Sequence, residues 1–157
     1  MGVKPMFGNG VVAAQVQAFQ ENLEKAILFL LKYLGEELAK YARDNHTYTD
    51  QTGNLTNSIG YAVVRNKEIV YYSATNQPGI GADSALQTAM KMANECSSAF
   101  SLIIVAGMSY AAYVEAKGYN VILPAELKAK KDFPAAMNKL MAKAKGKANE
   151  LFGNVLL

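Results

Sequence analysis

His46 is the chain's one histidine and Cys96 its one cysteine, so the side chains that most often ligate metals or attack carbonyls are each present once. An ordinary zinc centre gathers three or four such ligands, and a lone loop histidine reads as a surface group. Cys96 has no histidine or basic residue close to it in sequence and reads as a buried small side chain, not a thiolate nucleophile. Gly107-Met108-Ser109-Tyr110-Ala111 lacks the second glycine of a nucleophile elbow, so serine hydrolysis is unsupported. Nothing in the spacing of Asp44, Asp50 and Glu115 pairs them as acid and base. Gly79-Ile80-Gly81-Ala82-Asp83-Ser84 lies between an expected strand and an expected helix, where backbone amides can approach a phosphate. Ser84 stands where a third glycine would be, and the strand belongs to an antiparallel hairpin, so the segment reads as a helix-entry loop. No catalytic residue, metal or cofactor is expected, and the chain is not read as an enzyme.

The elements that would position any site follow from composition and period. The chain has 157 residues, 51% hydrophobic and 18% charged, which suits one folded domain over residues 1–157 and excludes a disordered chain. One cysteine excludes an intrachain disulfide. Neither a signal-peptide core nor the ~20 apolar residues that span a bilayer occur; the expectation is a soluble chain that is not exported and is made in the cytoplasm. Asn45-His46-Thr47 and Asn54-Leu55-Thr56 fit the glycosylation pattern, which such a chain never uses.

From Val12 the apolar residues recur as Val16, Phe19, Leu23, Ile27, Leu30, Leu34, Leu38 and Tyr41, about 3.6 residues per step, which predicts a helix over 12–42. At 1.5 Å per residue it would reach about 46 Å, against about 40 Å for a compact globule of this size. Either Gly35, which costs a helix interior ~1 kcal/mol, bends it, or part of its apolar stripe projects. A polar loop follows, with a short helical turn over 55–59. Two strands at 61–65 and 68–74 meet at a tight turn of Asn66 and Lys67. After a break over 77–81, Ser84 with Gln87 forms a capping-box pattern that opens a helix to about 98, with Leu86, Met90, Ala93 and Ser97 on its inner face. Apolar runs at 100–106 and 119–123 read as two further strands, and Met137, Leu140, Met141, Ala144, Ala148, Leu151 and Phe152 mark a C-terminal helix over 134–153. The fold expected is α+β: a mainly antiparallel four-stranded sheet over 60–123, with an inserted middle helix, packed with the long N-terminal and C-terminal helices. Adjacent Tyr71 and Tyr72, and Leu102 to Val105 in a row, put apolar groups on both faces of that sheet, so each face needs a cover from the helices or from a neighbouring subunit.

Residues 48–59, Tyr-Thr-Asp-Gln-Thr-Gly-Asn-Leu-Thr-Asn-Ser-Ile, resemble the D-x-T-G-x-L-x-x-S-I segment of the bacteriophage tail-completion, or head-tail joining, proteins of long-tailed phages. Residues 106–115 are similar to that family's strand followed by Y-A-x-Y-V-E and a glycine, here Gly118 after an inserted Ala116 and Lys117. With the long helix ahead of the first block, the resemblance covers roughly residues 12–123. It implies a virion structural protein of a phage or prophage, a minor tail or neck component made in the host cytoplasm. Such a subunit forms a homo-oligomeric ring between the head connector and the tail tube, without catalysis or cofactor. Tyr48, Asp50, Thr52, Gly53, Leu55, Ser58, Ile59, Tyr110, Tyr113 and Glu115 would then make subunit or partner contacts. Nine tyrosines with no tryptophan suit such contacts, because tyrosine joins contact area to a polar tip.

Charge is uneven: residues 1–124 sum to −1 and residues 125–157 to +4, the latter from lysine alone. Arginine is the usual residue for bidentate phosphate contacts, so this reads as a solvated lysine face. Lys139, Lys143 and Lys147, four apart, would look toward DNA in a lumen and touch it without sequence preference. The alternative function is a small basic DNA-binding protein.

Overall fold

The apolar repeat is realised as α1 (Asn9–Asp44) in the computed structural model, which describes residues 9–73 and 80–153. The chain continues through α2 (Asn54–Asn57), β1 (Ile59–Arg65), β2 (Glu68–Ser73), α3 (Ile80–Glu95), β3 (Phe100–Ala106), α4 (Ala111–Ala116) and α5 (Leu123–Phe152). Ala74 and the break at 77–79 lie outside the described residues. Along α1, Ile27, Leu31, Leu34, Leu38, Ala39 and Ala42 are buried, whereas Val11 and Val16 are exposed. Full burial of a leucine is worth roughly 1.5–3 kcal/mol, so the second half of the helix carries its attachment.

α1 runs through Gly35 without a break. The glycine has another cause: a Cβ there would lie 2.3 Å from Cδ2 of Tyr61, so its absence lets the helix settle on the β1 ring. The same small-residue logic acts on the opposite face of the sheet. Ala85, Ala89 and Ala93 of α3 are buried in a row, and a Cβ on Gly107 would fall 2.1 Å from the Ala85 nitrogen. Leu86 and Met90, expected on the inner face, are exposed, and so is Ser97. The helix is turned so that methyl groups, not long side chains, meet the sheet, because only they permit so close an approach. The capping box is also absent: Ser84 lies within α3, where its hydroxyl donates to the Gly107 carbonyl and its own carbonyl accepts from Thr88 Oγ1 at 2.9 Å.

The sheet has three strands in the order β2-β1-β3, both pairings antiparallel, which corrects the expected four. Residues 119–123 form no strand. Their amides are taken up elsewhere, Asn120 N donating to Thr47 Oγ1 and the next three to the Glu115 carboxylate, so none is left for a ladder. The strand-like alternation survives in burial, since Val121 is buried between exposed Tyr119 and Leu123. The last helix is likewise longer than expected: it starts at Leu123 and not at 134, with Pro124 in its first turn and Pro134 inside it. Proline at the start of a helix removes only an amide that has no intrahelical partner.

β1 is buried from Ile59 to Val64. Tyr61 and Val63 join the cluster around Leu31 and Leu38, while Ala62 and Val64 join Ala85, Ala89, Ala93, Ile103 and Val105 on the α3 side. The chain's own helices therefore lie on both faces of the sheet. Asn66 and Lys67 both have positive φ, 49° and 70°, as a two-residue hairpin turn of the sheet's own twist requires. Register shifts between Val63 and Val64, which leaves Val70 as an extra, exposed residue on edge strand β2.

Glycine-to-alanine exchange ordinarily stabilises a helix interior by about 1 kcal/mol. At Gly35 the sign reverses: the Tyr61 ring must move, so Gly35→Ala lowers stability by roughly 1–3 kcal/mol. Urea unfolding checks this, and an alanine variant as stable as the parent would show that the ring yields freely.

Candidate functional site

Two loop segments about fifty residues apart meet at one end of the sheet. At the end of α1, the Asn45 amide and its Nδ2 both donate to the Tyr41 carbonyl, at 3.0 and 2.8 Å. His46 stacks on Tyr48, ring centroids 4.5 Å apart, with Nδ1 3.0 Å from the Tyr48 carbonyl oxygen. A carbonyl only accepts, so the proton sits on Nδ1. Tyr48 is buried and its hydroxyl lies 3.1 Å from Thr56 Oγ1. Asp50 Oδ2 accepts from the Thr56 amide at 2.7 Å, capping the first turn of α2. Thr52 Oγ1 accepts from the Asn54 amide at 3.3 Å, and Gly53 takes a φ of 74°, open to glycine at little cost. Leu55 and Ile59 enter the core, and buried Ser58 donates its hydroxyl to the Leu55 carbonyl at 2.7 Å.

The second segment is tied to the first through the backbone. Gly107 N donates to the Ser58 carbonyl at 3.2 Å, and Arg43 Nη1 donates to the Ile59 carbonyl at 3.1 Å. After the turn at Met108 and Ser109, α4 carries Glu115 to the start of α5. There Oε2 accepts from the amides of Val121 and Ile122, at 2.7 and 3.1 Å, and Oε1 accepts from Leu123 at 2.9 Å. The carboxylate thus stands at the amino end of a 30-residue helix, where partial positive charge and unpaired amides favour it. Gly118, at φ 87°, turns the chain between the carboxylate and the amides it serves.

Most residues expected to make partner contacts therefore build the corner itself. Leu55, Ser58 and Ile59 are buried, while Asp50 and Glu115 are held by backbone amides. Tyr113 is 64% exposed, with the Lys117 ammonium 5.2 Å from its ring centroid, and Tyr110 and Tyr119 are also exposed. These three tyrosines and Thr52 face outward from the corner, beside exposed Thr49 and Gln51. Burial pushes the Tyr48 phenol above its ordinary range, the Thr56 hydroxyl pulls it back somewhat, and the nearby Asp50 charge raises it again. Burial and Asp50 raise Tyr110 as well.

A second feature was not legible in the sequence. The amino-terminal half of α1 and the carboxy-terminal half of α5 run antiparallel, with Phe19 and Phe152 meeting edge to face at 5.8 Å. Between them lies a groove of about 490 Å³ floored by Phe19, Leu23, Leu140 and Leu151, with Lys143 and Lys147 in its lining. Lys139 is exposed on the same helix, and Lys147 lies 3.6 Å from Glu150. The one available signal was the length of the two apolar repeats, and the late start assigned to the last helix concealed it.

His46 and Cys96 are apart in the fold, each with its own local partner, Cys96 Sγ donating to the Met92 carbonyl at 3.5 Å. Among the described residues no group of three His, Cys, Asp or Glu side chains is placed to hold a metal ion, and no helix is long and apolar enough to cross a membrane. Comparison with protein-family models, with curated proteins and with solved structures finds no match.

Removing the Glu115 carboxylate leaves three amides to find water. Glu115→Ala is expected to lower stability by about 2 kcal/mol, the order of a charge-assisted hydrogen-bond set, as a drop in thermal midpoint. An unchanged midpoint would make Glu115 a surface contact residue and not a cap. The tyrosines yield a pH test. A phenol whose pKa is raised by folding stabilises the fold fully below about pH 10, and that share is lost as pH rises further. The tyrosinate absorbance of the folded chain is expected to reach fewer than nine tyrosines by about pH 11, and all nine in urea. Replacing Tyr48 by Phe should remove one late-titrating group.

Proposed function

We propose that this chain is a structural subunit of a long-tailed phage virion, assembling as a homo-oligomeric ring at the neck or tail top between the head connector and the tail tube. It carries out no catalysis in that role. It is made in the bacterial cytoplasm and ends in the particle. The observation that carries the reading is the corner: the two segments that resemble the tail-completion family are joined by the Gly107–Ser58 backbone bond and pack against one another. Segments so far apart in the chain that form one unit behave as one motif, not as two chance matches. Apolar surface supports the same reading, since Phe29, Tyr33, Val70, Tyr113 and Leu127 remain exposed in a single copy.

The lysines favour a second reading, a small basic DNA-binding protein. Residues 133–149 carry four lysines and no acid, Lys139, Lys143 and Lys147 among them. Such contacts would be non-specific and would weaken linearly with the logarithm of salt concentration.

Deleting the gene from the phage or inducible prophage that carries it, with complementation in trans, separates the two. Electron microscopy of the lysate should then show DNA-filled heads and unjoined tails, and labelled antibody should mark the neck of complemented particles. Infectious, normally joined particles without the protein would overturn the virion reading. Salt-sensitive duplex binding in that case would select the second.

A further inference from the structure

We propose that two copies of this chain pair through the free edge of β3, antiparallel about a two-fold axis at Ile103, so that their sheets join into one. The backbone of β3 turns to that edge at alternate residues. The Asn66 amide donates to the Ala99 carbonyl at 2.9 Å and the Gly107 amide to the Ser58 carbonyl at 3.2 Å, at the two ends of a ladder whose register runs unbroken from Ile59↔Ala106 to Arg65↔Phe100. Closely bonded pairs in an antiparallel ladder alternate with unbonded ones. Ser101, Ile103 and Val105 therefore turn their amides and carbonyls to β1, and Phe100, Leu102, Ile104 and Ala106 turn theirs away. β3 is an outer strand of the sheet, and among the described residues none is bonded to those outward groups.

Exposed strand edges are ordinarily blunted by charge, proline or a bulge. The opposite edge obeys this rule: β2 begins with Glu68, and its pairing with β1 shifts register between Val63 and Val64. β3 is Phe-Ser-Leu-Ile-Ile-Val-Ala, with no charge, no proline and no shift. Such an edge is a template for another strand, and its own sequence fits it. With Ile103 opposite Ile103 of a second copy, Leu102 faces Ile104 and Phe100 faces Ala106. A large side chain then meets a small one at each end, no like charges meet, and each outward amide finds an outward carbonyl.

The side chains of Phe100, Leu102, Ile104 and Ala106 pack on the cluster beneath α1 and α5. On that side a groove of about 420 Å³ lies along the edge, lined by Leu38, Leu102, Ile104, Ala129 and Phe133, and its charged members Glu126 and Lys130 are paired at 3.0 Å. Side chains of the second copy thus enter an apolar space that holds no unpaired charge. A strand about 23 Å long between helix layers each about 10 Å thick gives a strip that buries on the order of 1,000 Å² over two copies, the low end for a specific contact. Each copy gives the same surface, so the contact is isologous and closes at two. It is not the contact that builds a ring, and it stands independently of the virion reading.

Sedimentation of the purified full chain across the micromolar range tests it. The mass is expected to rise from one copy to two and to stop there. Amide hydrogen exchange, read by NMR at the two ends of that range, should slow roughly tenfold or more for Leu102 and Ile104 at high concentration, while the Ile103 amide, held by β1, exchanges slowly at both. Ile104→Pro removes an outward amide that β1 does not use, and should weaken pairing roughly tenfold or more, with the circular dichroism of the single copy unchanged. A chain that stays monomeric, one that grows past two, or a pair in which Leu102 and Ile104 exchange no slower than in the single copy would overturn the proposal. So would a folded Ile104→Pro chain that pairs like the parent. Normal particles from the gene-deleted phage would sink the virion reading and leave this contact standing.

Discussion

Close approach of helix to sheet on both faces of β1 is the constraint on which the rest of the structure depends. The strand is buried from Ile59 to Val64, so α1 and α3 must each come within van der Waals contact of it. α1 does so at Gly35, above the Tyr61 ring, and α3 does so through Ala85, Ala89 and Ala93, drawn in where Gly107, just past β3, meets the backbone of Ala85. Interiors pack at crystal-like density and respond to a single methylene. Sheet thickness is therefore set at these two points, and the positions of the flanking helices follow.

Gly107 also sits where the fold turns from scaffold to corner. Its amide holds the Ser58 carbonyl and its carbonyl takes the Ser84 hydroxyl, so one residue ties the α2 segment, the end of β3 and α3 together. From there α4 delivers Glu115 to the amides that open α5. The carboxylate thereby fixes where the last helix begins and in what direction it leaves. A capping group some six residues upstream is a tertiary device, since the intervening chain must fold back through Gly118 to bring donor and acceptor together.

The direction so fixed lays α5 antiparallel on α1. At 1.5 Å per residue, 36 and 30 residues reach about 54 and 45 Å, against roughly 23 Å for a seven-residue strand. Toward the hairpin end of the sheet α1 is still linked to it, Glu24 pairing with Arg65 at 3.2 Å. From Gly10 to Asn22 the burial seen around Leu31 and Leu38 is gone, and the groove between the helices opens there. Among the described residues, the two helices that outrun their sheet have only one another to cover their apolar stripes there, and two cylinders cannot close a core. The groove comes from this mismatch of lengths, which the ends of the elements created.

The sequence by itself determined the long first helix, the hairpin with its turn at Asn66 and Lys67, the middle helix and the apolar character of both sheet faces. Each is written in a local period or a turn between neighbouring residues, and local backbone sterics read such patterns directly. Tertiary structure decided what local pattern leaves open. The alternation at residues 119–123 satisfied a strand template, yet its amides were claimed by Glu115 and Thr47, so the sheet closed at three strands. Leu86 and Met90 matched an inner helical face, yet the space above β1 admits only the methyl groups of Ala85, Ala89 and Ala93. Gly35 resembled a hinge and proved to be clearance for a ring forming part of a strand 26 residues later. Of the candidate site, Asp50, Gly53 and Glu115 were visible as residues, but their work as caps and turns was not. Hydrogen-bond competition and available volume depend on residues distant in the chain, and only the assembled fold brings those together.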